Sequence, residues 1–158
     1  MFRPLLRKKQ ALSEEECLRI LKEEKRGVLS VIGDEGYPYG MPLNHWYWEE
    51  DGRIYFHSGK KGHRTDALTK NNKVSFCVYD SGYLNEGDWA LNIKSVIVFG
   101  RVHFVEDFDE AITISRKLSR KFTDDESYIE YEVEHSGNSV LCFYIEPEHI
   151  SGKLVNEK

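Results

Sequence analysis

Apolar and polar positions fall into short segments whose period changes several times along the chain. Residues 1–12 are mixed and read as an arm lying on the surface or on a partner. From Ser13 the spacing turns helical. Cys17, Ile20 and Leu21 form a narrow apolar stripe, and Glu14, Glu15, Glu23, Glu24 and Lys25 make the solvated face. Ser13 and Glu16 form an S-x-x-E capping box with Leu12 and Cys17 at the staple positions, and Gly27 is the expected stop. Strand patterns follow over Val28 to Gly33, Met41 to Trp48 and Arg53 to Ser58, with turns at Asp34-Glu35-Gly36 and Glu50-Asp51-Gly52. Three strands in sequence with tight turns predict a meander.

A short helix is predicted from Thr65 to Lys70. A strand over Lys73 to Tyr79 follows, with Val74, Phe76 and Val78 on its buried face. Residues 80–88 are a loop. Trp89 to Ile93 and Ser95 to Val105 read as strand, bulged near Lys94-Ser95 and relaxed at Gly100. Asp107 or Asp109 caps a helix over Glu110 to Phe122, striped by Ala111, Ile114, Leu118 and Phe122. Asp124 to His135 is acidic and weakly helical. Ser139 to Ile145 is the last strand, closed by Glu146-Pro147, and His149 to Lys153 continues extended. The pattern predicts a mainly β, α+β single domain over residues 1–158. Six or seven mostly antiparallel strands form a small closed or split barrel with about three peripheral helices.

Composition narrows the function. A chain of 158 residues can bury a real core. Its formal net charge of -5 argues against general nucleic-acid affinity, so a cluster of basic residues in it is local. Aromatic residues make up 13%, which suits aromatic-lined surfaces or a large ligand. Cys17, Cys77 and Cys142 are scattered and odd in number, as expected for reduced thiols in a cytoplasmic protein. No apolar run approaches the ~18 residues of a membrane span. The basic N-terminus has no hydrophobic run behind it and does not read as a secretory signal.

The cluster is Ser58-Gly59-Lys60-Lys61-Gly62-His63-Arg64, a basic loop broken by glycines that feeds a helix N-terminus. Backbone N–H groups and the positive end of the helix dipole converge there, which suits an anion and above all a phosphate. The spacing matches neither the Walker loop nor the dinucleotide-binding glycine pattern. His45, His57, His63 and His103 show no metal-ligand spacing, and no metal is expected. No nucleophile with its base and no paired carboxylates are readable. Trp46, Trp48 and Trp89 are candidates to stack on a ring, although core packing is the commoner fate of tryptophan.

Four segments carry a resemblance to a known family: RGVLSVIGDEGYPYGMPLNHWY after the capped helix, then GRIYFHSGKKGHRTDALTKNNKVSF, SVIVFGRVHFV and FYIEPEHISGK. In this order and spacing they resemble the pyridoxamine 5'-phosphate oxidase-like flavoproteins, and more closely their nitroimidazole reductase-like branch. The resemblance covers most of the chain. It implies an FMN-binding split β-barrel that forms a homodimer and holds FMN at the subunit interface. It implies phosphate contacts from Lys60, His63 and Arg64, with Arg64 standing where the family usually has lysine. A guanidinium keeps the charge and can grip phosphate bidentately. It places the flavin ring along Met41, Pro42, Leu43, Asn44 and His45, near Tyr55, Phe56, His57 and Ser58, and makes Lys94, Ser95 and Val96 the strand start that closes the site. His57 is the candidate catalytic residue. The family's pyridoxal phosphate pocket lies near the C-terminus, where this chain has no arginine, which speaks against vitamin B6 oxidation.

The expected function is therefore an FMN-dependent oxidoreductase, reduced by a small donor such as NADH or NADPH and acting on a small planar substrate. A non-catalytic flavin- or haem-binding module is the alternative. A third possibility is an interaction barrel with no cofactor, whose 60–64 loop binds some other anion. No nucleic acid or membrane partner is expected, and the location is cytoplasmic.

Overall fold

The computed structural model describes residues 1–157. Seven strands form one antiparallel sheet in the order β2-β1-β5-β6-β7-β4-β3, where β1 is Arg26–Ile32, β2 Pro38–Asn44, β3 Trp46–Trp48, β4 Arg53–Gly59, β5 Lys73–Tyr79, β6 Asn92–Phe104 and β7 Val140–Asn156. Four helices accompany it: α1 (Glu14–Glu23), α2 (His63–Lys70), α3 (Phe108–Arg120) and α4 (Glu126–Ser136).

The expected strand over Met41 to Trp48 is broken at His45. β2 pairs with β1 at one edge of the sheet, and β3 pairs with β4 at the other. Only His45 separates β2 from β3 in the chain. Two edges joined by a single residue must lie side by side, so the sheet curls into a split barrel and the expected three-strand meander does not form. The seam is pinned from inside. Lys121 Nζ, just past α3, donates to the carbonyls of His45 (2.8 Å) and Glu24, and the His45 N–H reaches the Lys25 carbonyl at 3.3 Å. Burial pulls the Lys121 amine down to about 8.

α1 plugs one end of the barrel with Cys17, Ile20 and Leu21, all 2% exposed or less. Ser13 Oγ accepts from the Glu16 N–H at 3.2 Å as the cap predicts, but the Glu16 carboxylate leaves the capping box for Lys94 Nζ at 2.8 Å. The helix ends at Glu23, before Gly27. Gly27 lies instead within β1, where a side chain would strike the Phe76 ring and the Cys77 carbonyl. α2 adds Ala67 and Leu68 to the same interior core. A second apolar layer lies outside the barrel, where α3 covers Tyr55 of β4 and Cys142 of β7 through Ala111 and Ile114.

β6 pairs with β7 along the whole length of β6, and the bulge falls at Phe99/Gly100, not at Lys94-Ser95. β7 does not stop at Glu146-Pro147. It runs through the proline, which sits opposite Gly100 beside the bulge, where its missing N–H is tolerated. Residues 89–91 are not strand. A Cβ on Gly100 would meet the Glu146 carbonyl oxygen and Ile145. Gly100→Ala is therefore expected to lower stability by about 1–3 kcal/mol, read from urea unfolding, because backbone cannot step aside as a side chain can. An unchanged midpoint would mean that the bulge is slack.

Candidate flavin-type cradle and pocket

β4 carries the side chains that open the site. Ile54 and Phe56 alternate into the barrel, while Tyr55 and His57 point outward. Past Ser58 the chain turns through Gly59 to Gly62 into α2. Gly62 has φ 132°, a conformation that favours glycine. The first helical carbonyl contact is Asp66 N–H to Gly62 O, and no side chain caps the helix start. Its leading N–H groups are thus open to an anion.

Arg64, in the first turn, is half-buried. It donates from Nη2 to Ser58 Oγ at 2.6 Å, and its Nε is buried without a protein partner. Burial holds its pKa below the usual arginine range. A buried guanidinium N–H with no acceptor is costly, and an anion at the helix start supplies the acceptor. The donor set therefore fits a phosphate group, as a flavin mononucleotide would present. Lys60 and Lys61 are exposed on the loop and can add charge at longer range.

His63 is turned the other way. Its ring stacks on Tyr39 at 4.2 Å, and Nε2 accepts the Asp34 N–H at 3.2 Å, tying α2 to the β1–β2 turn. The imidazole expected at the phosphate is engaged by Tyr39 and the Asp34 N–H in this arrangement.

The expected ring-binding stretch divides by face. Met41 lies in the barrel core and Leu43 packs against it, whereas Pro42 is exposed and Asn44 lines an outer cavity. His45 is fully buried inside, its Nε2–H donating to the Leu21 carbonyl at 2.8 Å, so its side chain meets no ligand. Phe56 and Val96 are likewise core residues with 0% exposure, and Tyr55, at 1%, is packed beneath α3 with its hydroxyl on Asp51 Oδ2 at 2.6 Å. His45, Phe56 and Val96 turn into the barrel and Tyr55 turns outward beneath α3, so all four expected ring contacts have buried side chains. Lys94 is committed to Glu16. Ser95 stands on the open outer face of β6, opposite Tyr79 and Lys153 and separated from β4 by β7.

His57 and Asn44 meet at the seam. Both line a cavity of about 230 Å³ roofed by α3 and α4, with Ile112, Leu118, Phe122, Val133 and Val140 as its apolar wall. His57 is exposed at the opening of the cavity. Desolvation by its surroundings first, and the Arg64 charge second, lower its pKa, so it is neutral at pH 7. Neither its ring nor the Asn44 amide hydrogen-bonds another described residue. His57 thus links the anion cradle to the cavity.

The roof was not legible in the sequence as part of a site. α4 reads as an acidic, weakly helical stretch, and its signal is the i, i+4, i+8 spacing of Tyr128, Glu132 and Ser136, all on the cavity side. Trp46 and Trp48 stack on each other at 5.1 Å beneath Lys117 Nζ, and Trp89 is 75% exposed in a loop, so none of the three lines the cavity. Among the described residues no cluster of His, Cys, Asp and Glu is placed to hold a metal, and no helix is long and apolar enough to cross a membrane.

Solved structures of the same fold exist. The chain is similar to a proposed 5-nitroimidazole antibiotic resistance protein from Bacteroides thetaiotaomicron, at 21% identity over 92% of this chain and 87% of that one, TM-score 0.78. It is similar to an FAD-binding protein from Mesorhizobium loti, at 25% identity over 92% and 97%, TM-score 0.65. A flavocytochrome from Azotobacter vinelandii shares the fold at 17% identity over 97% and 72%, TM-score 0.71. No curated protein sequence matches significantly. The family model described as pyridoxamine 5'-phosphate oxidase matches residues 13–154, from the cap of α1 to within two residues of the end of β7, and the chain belongs to that family.

Proposed function

We propose that the chain binds FMN between two copies of itself and is an oxidoreductase, reduced by a nicotinamide and acting on a small planar acceptor. The observation that carries this reading is the partnerless Arg64 Nε beside Ser58 at the uncapped start of α2, adjoining the partnerless His57 and Asn44. The family match and the similarity to a protein named as FAD-binding support a flavin there. FMN, when bound, supplies the redox chemistry, and the protein contributes binding, orientation and electrostatics. Arg64, Ser58 and the α2 N–H groups hold the phosphate. Asn44 hydrogen-bonds the ring edge. His57 would orient the acceptor or deliver to it a proton that its reduction requires.

A second copy has a surface to cover. The outer face of β1, β5 and β6 exposes Val28, Ile32, Tyr79, Ile97 and Phe99, each by 36% or more. A stable contact there would bury more than ~1,000 Å². Ser95 lies on this face, so a two-fold contact is what would bring it to a flavin held by the other copy.

A second reading, a flavin- or haem-binding module without catalysis, draws on the similarity to a flavocytochrome. Absorbance of the pure protein separates the two ligands. Flavin bands without a Soret band are expected, with FMN as the released flavin. Anaerobic mixing with NADH or NADPH should bleach those bands, and nitro-aromatics or quinones should restore them. If neither donor bleaches them and photoreduced protein ignores every acceptor, the binding-module reading takes over. A stable monomer in sedimentation with flavin bound would sink the proposed interface.

A further inference from the structure

Of the four glutamates on α4, three have fates that bear on the cavity. Glu130 is gripped by Arg116 through both oxygens at 2.8 and 2.9 Å. Glu126 is held by Arg120 in the same way at 2.8 and 3.1 Å. Glu132 pairs with no described residue, is only partly exposed, and lines the cavity with His57 and Asn44. It is the one carboxylate in the lining, and no lysine or arginine lines the cavity to offset it. The Ser119 and Ser136 hydroxyls, also in the lining, lack protein partners for their side chains. A half-dry carboxylate among unpartnered hydroxyls prefers a ligand that brings a positive charge and N–H donors. The volume of about 230 Å³ lies below the ~300–1,000 Å³ of pockets for drug-sized ligands, which restricts the occupant to a single small ring system.

We propose that this cavity is the substrate pocket and that Glu132 makes it select small ring compounds bearing a cationic, N–H-rich group, against anions of the same shape. The assignment rests on the flavin reading for what the pocket serves. The charge preference stands on the cavity alone. Apolar wall residues take the ring, Glu132 takes the cationic end, and His57 and Asn44 face the ring from the flavin side. Tyr128, one helical turn before Glu132, also lines the cavity and is half-exposed.

Benzamidinium, benzamide and benzoate are three probes of one shape and different charge. Calorimetric titration of the full chain, as purified and after flavin removal, should rank benzamidinium above benzoate by about tenfold or more, the weight of one charge-assisted hydrogen bond. Glu132→Gln should abolish that ranking while leaving benzamide unchanged. Val133→Trp, which fills the cavity, should weaken all three probes. The NMR signal of the His57 ring should move on binding, which places the probes in the cavity. Equal binding of benzamidinium and benzoate would overturn the proposal, as would a preference that survives Glu132→Gln, or binding that leaves His57 unmoved. Absence of flavin with the charge preference intact would refute the flavin reading and spare the pocket. Bound flavin with no preference would do the reverse.

Discussion

Arg64→Met is expected to weaken FMN by about 1.5–3 kcal/mol, roughly 10- to 100-fold, and to leave riboflavin nearly untouched. The two ligands differ only by the phosphate, so their ratio isolates the cradle. The buried Nε of Arg64 has no protein acceptor, and Nη2 already holds Ser58 Oγ at 2.6 Å. Removing the guanidinium therefore deletes phosphate donors without orphaning a buried carboxylate, since no acidic partner is attached to it. Ser58 keeps its own bond to the Gly59 carbonyl. Lys60→Ala should show the same selectivity at smaller amplitude, because an exposed ammonium is screened. Fluorescence titration of flavin-free protein with both ligands is the measurement. Equal losses for FMN and riboflavin would mean that the loop does not hold the phosphate.

The second large effect concerns stability in acid. His45 is fully enclosed, and burial first, with the Lys121 charge second, pushes its pKa down from 6.5 to about 3. Its Nε2–H is committed to the Leu21 carbonyl, and Nδ1 is buried without a partner. Between about pH 6.5 and pH 3 the unfolded chain binds a proton at this position and the folded chain does not. Stability from this group is therefore complete above pH 6.5 and falls as the pH drops toward 3. Between pH 7 and pH 4.5 the loss is about 2–3 kcal/mol. His45→Leu removes the titrating group, so urea midpoints at the two pH values should lie closer together by that amount than in the parent protein. The Leu21 carbonyl loses its partner in the variant, so some stability is lost at pH 7 itself. An identical acid sensitivity in both proteins would show that His45 is reached by protons without unfolding.

What local chemistry specifies was legible in the chain itself. The Ser13 cap, the apolar stripe of α1, the alternation along β5 and the turn chemistry at Asp34-Glu35-Gly36 each depend on neighbours within a few residues, and each stands in the structure. The cradle was legible for the same reason. Gly62, Arg64 and Ser58 are close in sequence, and a loop entering a helix brings them together whatever surrounds it. The motif order along the chain was enough to indicate the split-barrel family.

Tertiary structure alone decided which face of each strand a ligand can reach. Met41 to His45 and Tyr55 to Ser58 each present both parities, and nothing local says that His45 and Phe56 turn into the barrel while Asn44 and His57 turn out. That choice follows from closing the sheet across a one-residue link, which sets His45 inside against Leu21 and Lys121. The fate of Lys94 was equally hidden, because its partner Glu16 lies 78 residues away. Glu132 is the extreme case. On its own helix it is one acid among several, and only the packing of α4 against α3 makes it the carboxylate that lines the cavity with His57. Packing between elements distributes charges and faces among sites, and no short window along the chain shows which face closes over a cavity or brings Glu16 to Lys94.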